Sequence, residues 1–267
     1  MIAVITASYS DIGHALTEQL LSRGYRVIAL NRNKEKTLSQ FKSLRYINKN
    51  ADMHWVEADL ADPNSIHQAA KRVAEEFGDI SLLVNNAGHA GEKSRSLGHG
   101  IEEHFQVNTL APFQLARQLS FKSNSMVLNL GSGAMYMARK LTLDPGWHQQ
   151  HFKKMSGPYA HSKLALAQLT MILSDQPDYQ PLTIKTIDPG PTKSAMSASN
   201  AMPGWVKWVR PLFKTPEKAA SNLLNSAFDT GIASGSYVQG RTIKTVPRNP
   251  DSKDLIDWFD QASARWT

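Results

Sequence analysis

Apolar runs of strand length alternate with segments of helical periodicity along the whole chain. Ile2 to Ile5 is such a run; a small polar turn follows it. Ile12, Ala15, Leu16 and Leu20 then recur at helical spacing, and Gly24 stops them. Tyr25 to Leu30 reads as a second strand and His54 to Val56 as a third. Asp62 and Pro63 supply an N-cap and a first-turn proline ahead of Ile66, Ala69, Ala70, Val73 and Phe77, and Gly78 ends that helix. Ile80 to Val84 is a fourth strand, and a helix through Phe105 and Leu115 precedes a fifth, Met126 to Leu130. A helix from Tyr159 to about Leu173 leads to strand six, Thr183 to Ile187; Thr215 and Pro216 cap another helix, and Tyr237 and Val238 form a last short strand. Strands alternating with helices in this way predict βαβ units with right-handed crossovers. The expectation is an α/β fold, a doubly wound parallel sheet of about seven strands flanked by helices, with ligands at the carboxyl ends of the strands.

The 267 residues, 41% hydrophobic and 20% charged, suit one domain spanning 1–267 with a full core. Cysteine is absent, which excludes disulfides, a thiol nucleophile and thiolate metal ligands. The net charge of +7 is scattered over Arg23, Lys34, Lys71, Lys153, Lys207 and Lys244. Nucleic acid is therefore not an expected partner, though a basic surface attracts anionic nucleotides. The opening apolar run is too short for a membrane span and lacks a basic leader, so a cytoplasmic protein with no membrane span is expected. Among nine histidines, His148 and His151 are three apart and His99 and His104 five apart, and no His-Glu-x-x-His set occurs; no metal is expected.

The candidate chemistry centres on Tyr159 and Lys163, four apart and hence on one helix face. An ammonium beside a phenol favours the phenolate, so the Tyr159 pKa is expected to fall and the pair to act as a proton-transfer device. Ser132, between Gly131 and Gly133 after strand five, can donate to a substrate oxygen. The turn from Thr6 to Gly13, with Ser8, Ser10 and Ile12, places a helix N-terminus where it can meet a pyrophosphate. Asp59 and Leu60 end strand three, and Asn85, Asn86, Ala87 and Gly88 close strand four. Asn108 stands in an otherwise good helix at a cost in propensity. Asp188, Pro189, Gly190 and on to Ser194 follow strand six. Taken singly, each of these also fits an ordinary turn or cap. Trp205, Trp208 and Leu212 make an amphipathic face that fits either a lid over an apolar substrate or core packing.

Together, in this order and at these strand ends, the segments resemble the short-chain dehydrogenase/reductase family over nearly the whole chain. The most specific parts are Asn85-Asn86-Ala87-Gly88, Ser132, Tyr159-x-x-x-Lys163 and Pro189-Gly190. The resemblance implies a single dinucleotide-binding Rossmann domain. It implies Tyr159 as general acid/base, Lys163 holding the nicotinamide ribose and lowering the phenol's pKa, and Ser132 polarising the substrate carbonyl. Asn108 would anchor a water-linked proton relay. Asn86, Ala87 and Gly88 would line the adenine-ribose side and Asp59 with Leu60 the adenine; Pro189, Gly190 and Ser194 would hold the carboxamide end. The hydride chemistry is the cofactor's. Ser132 and Tyr159 are 27 apart, more than is usual in the family. The intervening stretch and the tail from Gly235 to Trp258 look like the retinol dehydrogenase and protochlorophyllide reductase branch, which implies an apolar carbonyl or alcohol substrate. An insert of about 135–156 and a lid of about 195–213 would shape its pocket, with Met135, Tyr136, Trp147, Trp205 and Trp208 as apolar candidates. Relatives dimerise through the helices holding Phe105 and Tyr159, so a homodimer is open here, with the insert standing against that face.

Cofactor choice follows from the end of strand two. Asn31 and Arg32 stand where an acid would favour NAD; without a carboxylate, and with a guanidinium, NADP(H) is expected. The family's three turn glycines read here as Ala7, Asp11 and Gly13. Asp11 puts a Cβ and a carboxylate against the pyrophosphate path. Either Asp11 turns outward and caps the helix, leaving weakened binding, or the chain is a non-redox or regulatory protein on this fold. The complete Ser132, Tyr159 and Lys163 set favours the first.

Overall fold

The computed structural model describes residues 1–138, 140–180, 182–199, 208–247 and 252–264. Strands β1 (Ile2–Thr6), β2 (Arg26–Asn31), β3 (Met53–Glu57), β4 (Ile80–Asn85), β5 (Phe121–Leu130), β6 (Leu182–Asp188), β7 (Tyr237–Gln239) and β8 (Thr242–Ile243) form one sheet in the order β3-β2-β1-β4-β5-β6-β7-β8. The first seven pair in parallel; β8 returns antiparallel on β7. The sheet therefore has eight strands rather than about seven. The additional one is a two-residue edge strand, too short to carry a periodic signal.

Both faces of the sheet are covered, so the strands read as continuous apolar runs whose alternate residues enter different cores. Val4, Ile28, Leu83 and Val127 belong to one core. Ala3, Ile5, Val27, Leu82 and Leu128 belong to the other. Helices α1 (Asp11–Ser22) and α2 (Lys34–Ile47) pack on the second face. Helix α3 (Pro63–Phe77) packs on the first. So does α4, a helix that begins at Glu103–Phe105, widens into a π-helical Gln106–Leu110 and continues as Ala111–Gln118. α5 (Pro145–Gln150) lies in the insert, and α6 (Pro158–Leu173) joins the first face. α7 is the four-residue Ala195–Ala198; α8 (Pro216–Phe228) covers the second face and α9 (Ser252–Ser263) the first.

The caps are where the sequence placed them. The Asp62 carboxylate accepts the Asn64 N–H ahead of Pro63, and Thr215 accepts the Lys218 N–H ahead of Pro216. Helix α2 is absent from the sequence reading. Its buried residues are only Thr37, Gln40, Phe41 and Leu44, half of them polar, so the apolar stripe is too thin to register. The insert is not wholly irregular either. Asp144 caps α5, and His148 donates from Nε2 to the Thr142 carbonyl at 2.7 Å while His161 Nδ1 accepts the Thr142 N–H at 3.0 Å. His161 thus ties the insert to α6, and His148 braces the insert internally.

The order of the strands reverses between β1 and β4, which opens a crevice at their carboxyl ends. No helix among the described residues is long and apolar enough to cross a membrane.

Candidate active site

Two pockets lie along the carboxyl edge of the sheet. One is lined by Ala7, Tyr9 and Ser10 of the first turn, Asn31 and Arg32 after β2, Asp59 and Leu60 after β3, and Ala87, Gly88 and His89 after β4. The other is lined by Ile12, Ser132, Gly133, Tyr159, Asp188, Pro189, Gly190 and Ser194, with apolar wall from Ala134, Met155, Met196 and Phe213.

Local chemistry builds the first pocket. Ser10 caps α1 by accepting the Gly13 N–H at 3.2 Å. Gly13 has no room for a side chain: a Cβ there would stand 2.4 Å from the Ala7 carbonyl oxygen. The Asn86 amide donates to the carbonyls of Thr6 and Ala7 at 2.9 and 3.0 Å, and the Ala87 N–H to Thr6 Oγ1 at 2.9 Å, so the loop after β4 clips the first turn in place. Ala7 takes φ of +50°, the left-handed conformation a glycine would adopt freely. Arg32 is exposed at the pocket's mouth. Asp59 Oδ1 accepts the Ala61 N–H at 3.0 Å and so shapes the turn into α3.

Ser8 and Asn31, both expected at the cofactor, use their side chains in hydrogen bonds within the protein, and Asn31 also lines the first pocket. Ser8 is fully buried and its hydroxyl donates to Gln40 Oε1 at 2.7 Å. Asn31 accepts the Ser8 N–H at 2.9 Å and donates to Ser8 Oγ and Thr37 Oγ1. Their side chains lock the turn to α2.

The second pocket gathers Ser132 at the end of β5 and Tyr159 in the first turn of α6. The sequence reading expected Lys163 to draw the Tyr159 phenol down. The structure gives the opposite: burial pushes the phenol up, the Ser132 hydroxyl beside it pulls it partly back, and the Asp188 carboxylate pushes it up again. Lys163 donates from Nζ to the Leu130 carbonyl at 2.7 Å, and burial lowers its pKa to about 8 against an opposing pull from Asp188. Asp188 was not singled out from sequence as a site residue in its own right. It is buried, accepts the Gly190 N–H at 2.7 Å and accepts the Gln239 amide at 2.9 Å. A carboxylate closing a strand at a crevice was the available signal. Gln239, its β-pairing neighbour on β7, gave none.

Asn108 lies in the π-helical widening of α4, a local irregularity that frequently marks functional segments. Its Oδ1 accepts the His89 N–H at 2.7 Å, and its amide donates to the His89 carbonyl and to Ser162 Oγ at 2.9 and 3.0 Å. It therefore ties the loop after β4 to α6. Pro189, Gly190 and Ser194 line the second pocket as expected, and Ser194 also caps α7 by accepting the Ser197 N–H.

The apolar residues named from sequence are mostly elsewhere. Met135 is buried in the core, Tyr136 is exposed, and Trp147 stacks on His151. Trp208 and Leu212 are 88% and 87% exposed, which removes core packing for them; Trp205 lies outside the described residues.

A family model described as short chain dehydrogenase matches residues 1–142. Retinol dehydrogenase 11 of Homo sapiens is 28% identical over 251 residues, covering 88% of this chain and 76% of that one. A blue fluorescent protein from a metagenomic library, solved in complex with NADPH, superposes with a TM-score of 0.69 at 22% identity over 90% of this chain and 97% of its own. A short chain dehydrogenase from Shigella flexneri complexed with NADP gives 0.68 at 19%, over 90% and 97%.

Proposed function

The chain belongs to the short chain dehydrogenase family, and on that premise we propose that it is an NADP(H)-dependent oxidoreductase acting on the carbonyl or alcohol of an apolar small molecule. One observation carries the reading. Ser132 and Tyr159 share a pocket with the Pro189–Gly190 loop, and that pocket lies along the same sheet edge as a second one bearing Arg32. Such paired pockets suit a dinucleotide with its reactive end beside a substrate.

The residues present fit such a cofactor. The space that a Cβ on Gly13 would fill is already taken by the first turn, so the α1 N-terminus comes close under the groove. Ser10, Arg32, Asp59, Leu60, Ala87 and Gly88 would hold the adenosine part; Ile12, Pro189, Gly190 and Ser194 would hold the other end. Arg32 supports NADP(H), since a guanidinium pairs bidentately with a phosphate and Asn31, not a carboxylate, ends β2 before it. When bound, the nicotinamide supplies or accepts the hydride. In carbonyl reduction, Ser132 donates a hydrogen bond to the substrate oxygen, and Tyr159, kept protonated by burial, gives that oxygen its proton. In alcohol oxidation Tyr159 takes the proton back. Lys163, fixed at the Leu130 carbonyl, would hold the nicotinamide ribose. Ile12, Met155, Met196 and Phe213 exclude water and favour an apolar substrate. Residues 1–267 act as one domain, with 135–156 as the insert beside the pocket and 195–213 as its lid, of which 200–207 lie outside the described residues.

A non-redox or regulatory role is the second reading, favoured by the Asp11 carboxylate at the groove. The deciding experiment incubates the protein with NADPH and a panel of apolar aldehydes, ketones and quinones and follows the nicotinamide absorbance. Carbonyl-dependent oxidation is expected. Tyr159→Phe should abolish it while NADPH still binds. Absence of NADPH binding, or turnover surviving in Tyr159→Phe, overturns the proposal.

A further inference from the structure

The adenosine-side pocket and the pocket of Ser132 and Tyr159 share no lining residue, although the first borders the turn at Ser10 and the second borders α1 at Ile12, two residues on. What stands between them is α7. Asp11, the first residue of α1, accepts the Ala195 N–H at Oδ2 across 2.6 Å and 184 residues of chain. One residue on, Met196 reaches back over the loop after β4, its Cε 3.6 Å from where a Cβ on Gly88 would stand. α7 is held as a unit by reciprocal hydrogen bonds between Ser194 and Ser197. These contacts join the two walls of the groove from opposite ends of the sequence.

A dinucleotide running from Arg32 to Tyr159 has to pass between Gly88 and the α1 N-terminus with its diphosphate. An α1 N-terminus favours an anion, and Asp11 already supplies one there from the chain itself. We infer that Asp11 and Met196 form a strap across the diphosphate segment of the groove, which a dinucleotide displaces on binding and a lone adenosine phosphate does not touch. This inference rests on the dinucleotide site proposed above. It makes the departure at Asp11 a determinant of affinity and separates it from the chemistry at Tyr159. The cost falls on any ligand that spans both pockets. Breaking the strap removes about one hydrogen bond and one apolar contact from the competing state, so its loss should tighten dinucleotide binding by about tenfold.

Binding is measured calorimetrically for NADPH and for adenosine 2′-monophosphate with the wild-type chain, Asp11→Ala and Met196→Ala. Asp11 is exposed and Met196 only half-buried, so both variants retain the core. NADPH is expected to bind about tenfold tighter to Asp11→Ala, and tighter also to Met196→Ala, with adenosine 2′-monophosphate unchanged in both. Met196→Ala alters no charge, so tightening there separates a strap from simple relief of repulsion. Unchanged NADPH affinity in Met196→Ala, or equal tightening of the mononucleotide, overturns the strap while leaving the proposed function intact. Failure of every variant to bind either ligand overturns both.

Discussion

Lys163 donates from Nζ to the main-chain carbonyl of Leu130 at 2.7 Å, which fixes the ammonium to the end of β5, two residues before Ser132. The bond satisfies a buried cation without a carboxylate in direct contact, and burial dominates its pKa. The acid–base poise of the site is therefore set by the depth of the pocket and by Asp188, more than by the four-residue spacing of Tyr159 and Lys163.

The Lys163 pKa falls from 10.5 to about 8 on folding. A folded-state pKa below the unfolded one means the unfolded chain binds more protons between those values, so stability rises with pH through that window. This contribution is complete above the unfolded pKa and is lost as pH falls through about 8. Replacing Lys163 with Met removes the penalty and stabilises the protein at pH 7 by something on the order of 3 kcal/mol, a gain that fades by pH 10. Denaturant unfolding across that range measures it; a pH-independent difference between the two proteins would count against a buried, depressed lysine.

Asp188→Asn takes a negative charge away from the Tyr159 phenol. Burial still holds the phenol above its usual range, but one of the two upward influences is gone. The phenolate transition is expected at lower pH. Tyr136 and Tyr237 feel the same carboxylate, so the measurement is the absorbance titration of Asp188→Asn with and without Tyr159→Phe. The rate of alcohol oxidation should reach its alkaline plateau at correspondingly lower pH. An unmoved transition would remove Asp188 from the electrostatics of the site.

Arg32→Glu reverses the charge at the mouth of the adenosine-side pocket. NADPH binding is expected to weaken roughly 10–100-fold, the worth of a charge-assisted contact, with NADH little affected. Fluorescence titration of both nucleotides tests this, and an unchanged NADPH dissociation constant would sink the preference for NADP(H).

Ala7 stands at φ +50° in the turn that lines the same pocket. A left-handed alanine costs about 1–2 kcal/mol, and the entropy of an unfolded glycine offsets about 0.5–1 of that. Ala7→Gly should therefore stabilise the fold by about 0.5–1 kcal/mol, read from the denaturation midpoint at constant slope. A loss of stability would mean that the alanine methyl has packing the turn depends on.

Much of the fold was legible because its signals are short-range. Asp62 followed by Pro63, the apolar run at Ile80 and the period through Ile66, Ala69 and Val73 each report on neighbours within a turn or two. The edge strand β8 and helix α2 were not legible. One is two residues long, and the other buries a face made partly of Thr37 and Gln40. The hydrogen bonds of the Ser8 and Asn31 side chains were not legible for the same reason, since their partners Gln40 and Thr37 lie on that helix.

The sequence by itself determined the alternation of strand and helix, the helix ends, the position of Ser132 and Pro189–Gly190 after strands, and that of Tyr159 and Lys163 on one helix face, because periodicity and capping are written in residues a few positions apart. Tertiary structure alone decided that Lys163 turns to Leu130, that Asp188 stands near the Tyr159 phenol, and that Asp11 meets Ala195. Those outcomes depend on desolvation and on hydrogen bonds between segments far apart in the chain, and the folded arrangement sets both.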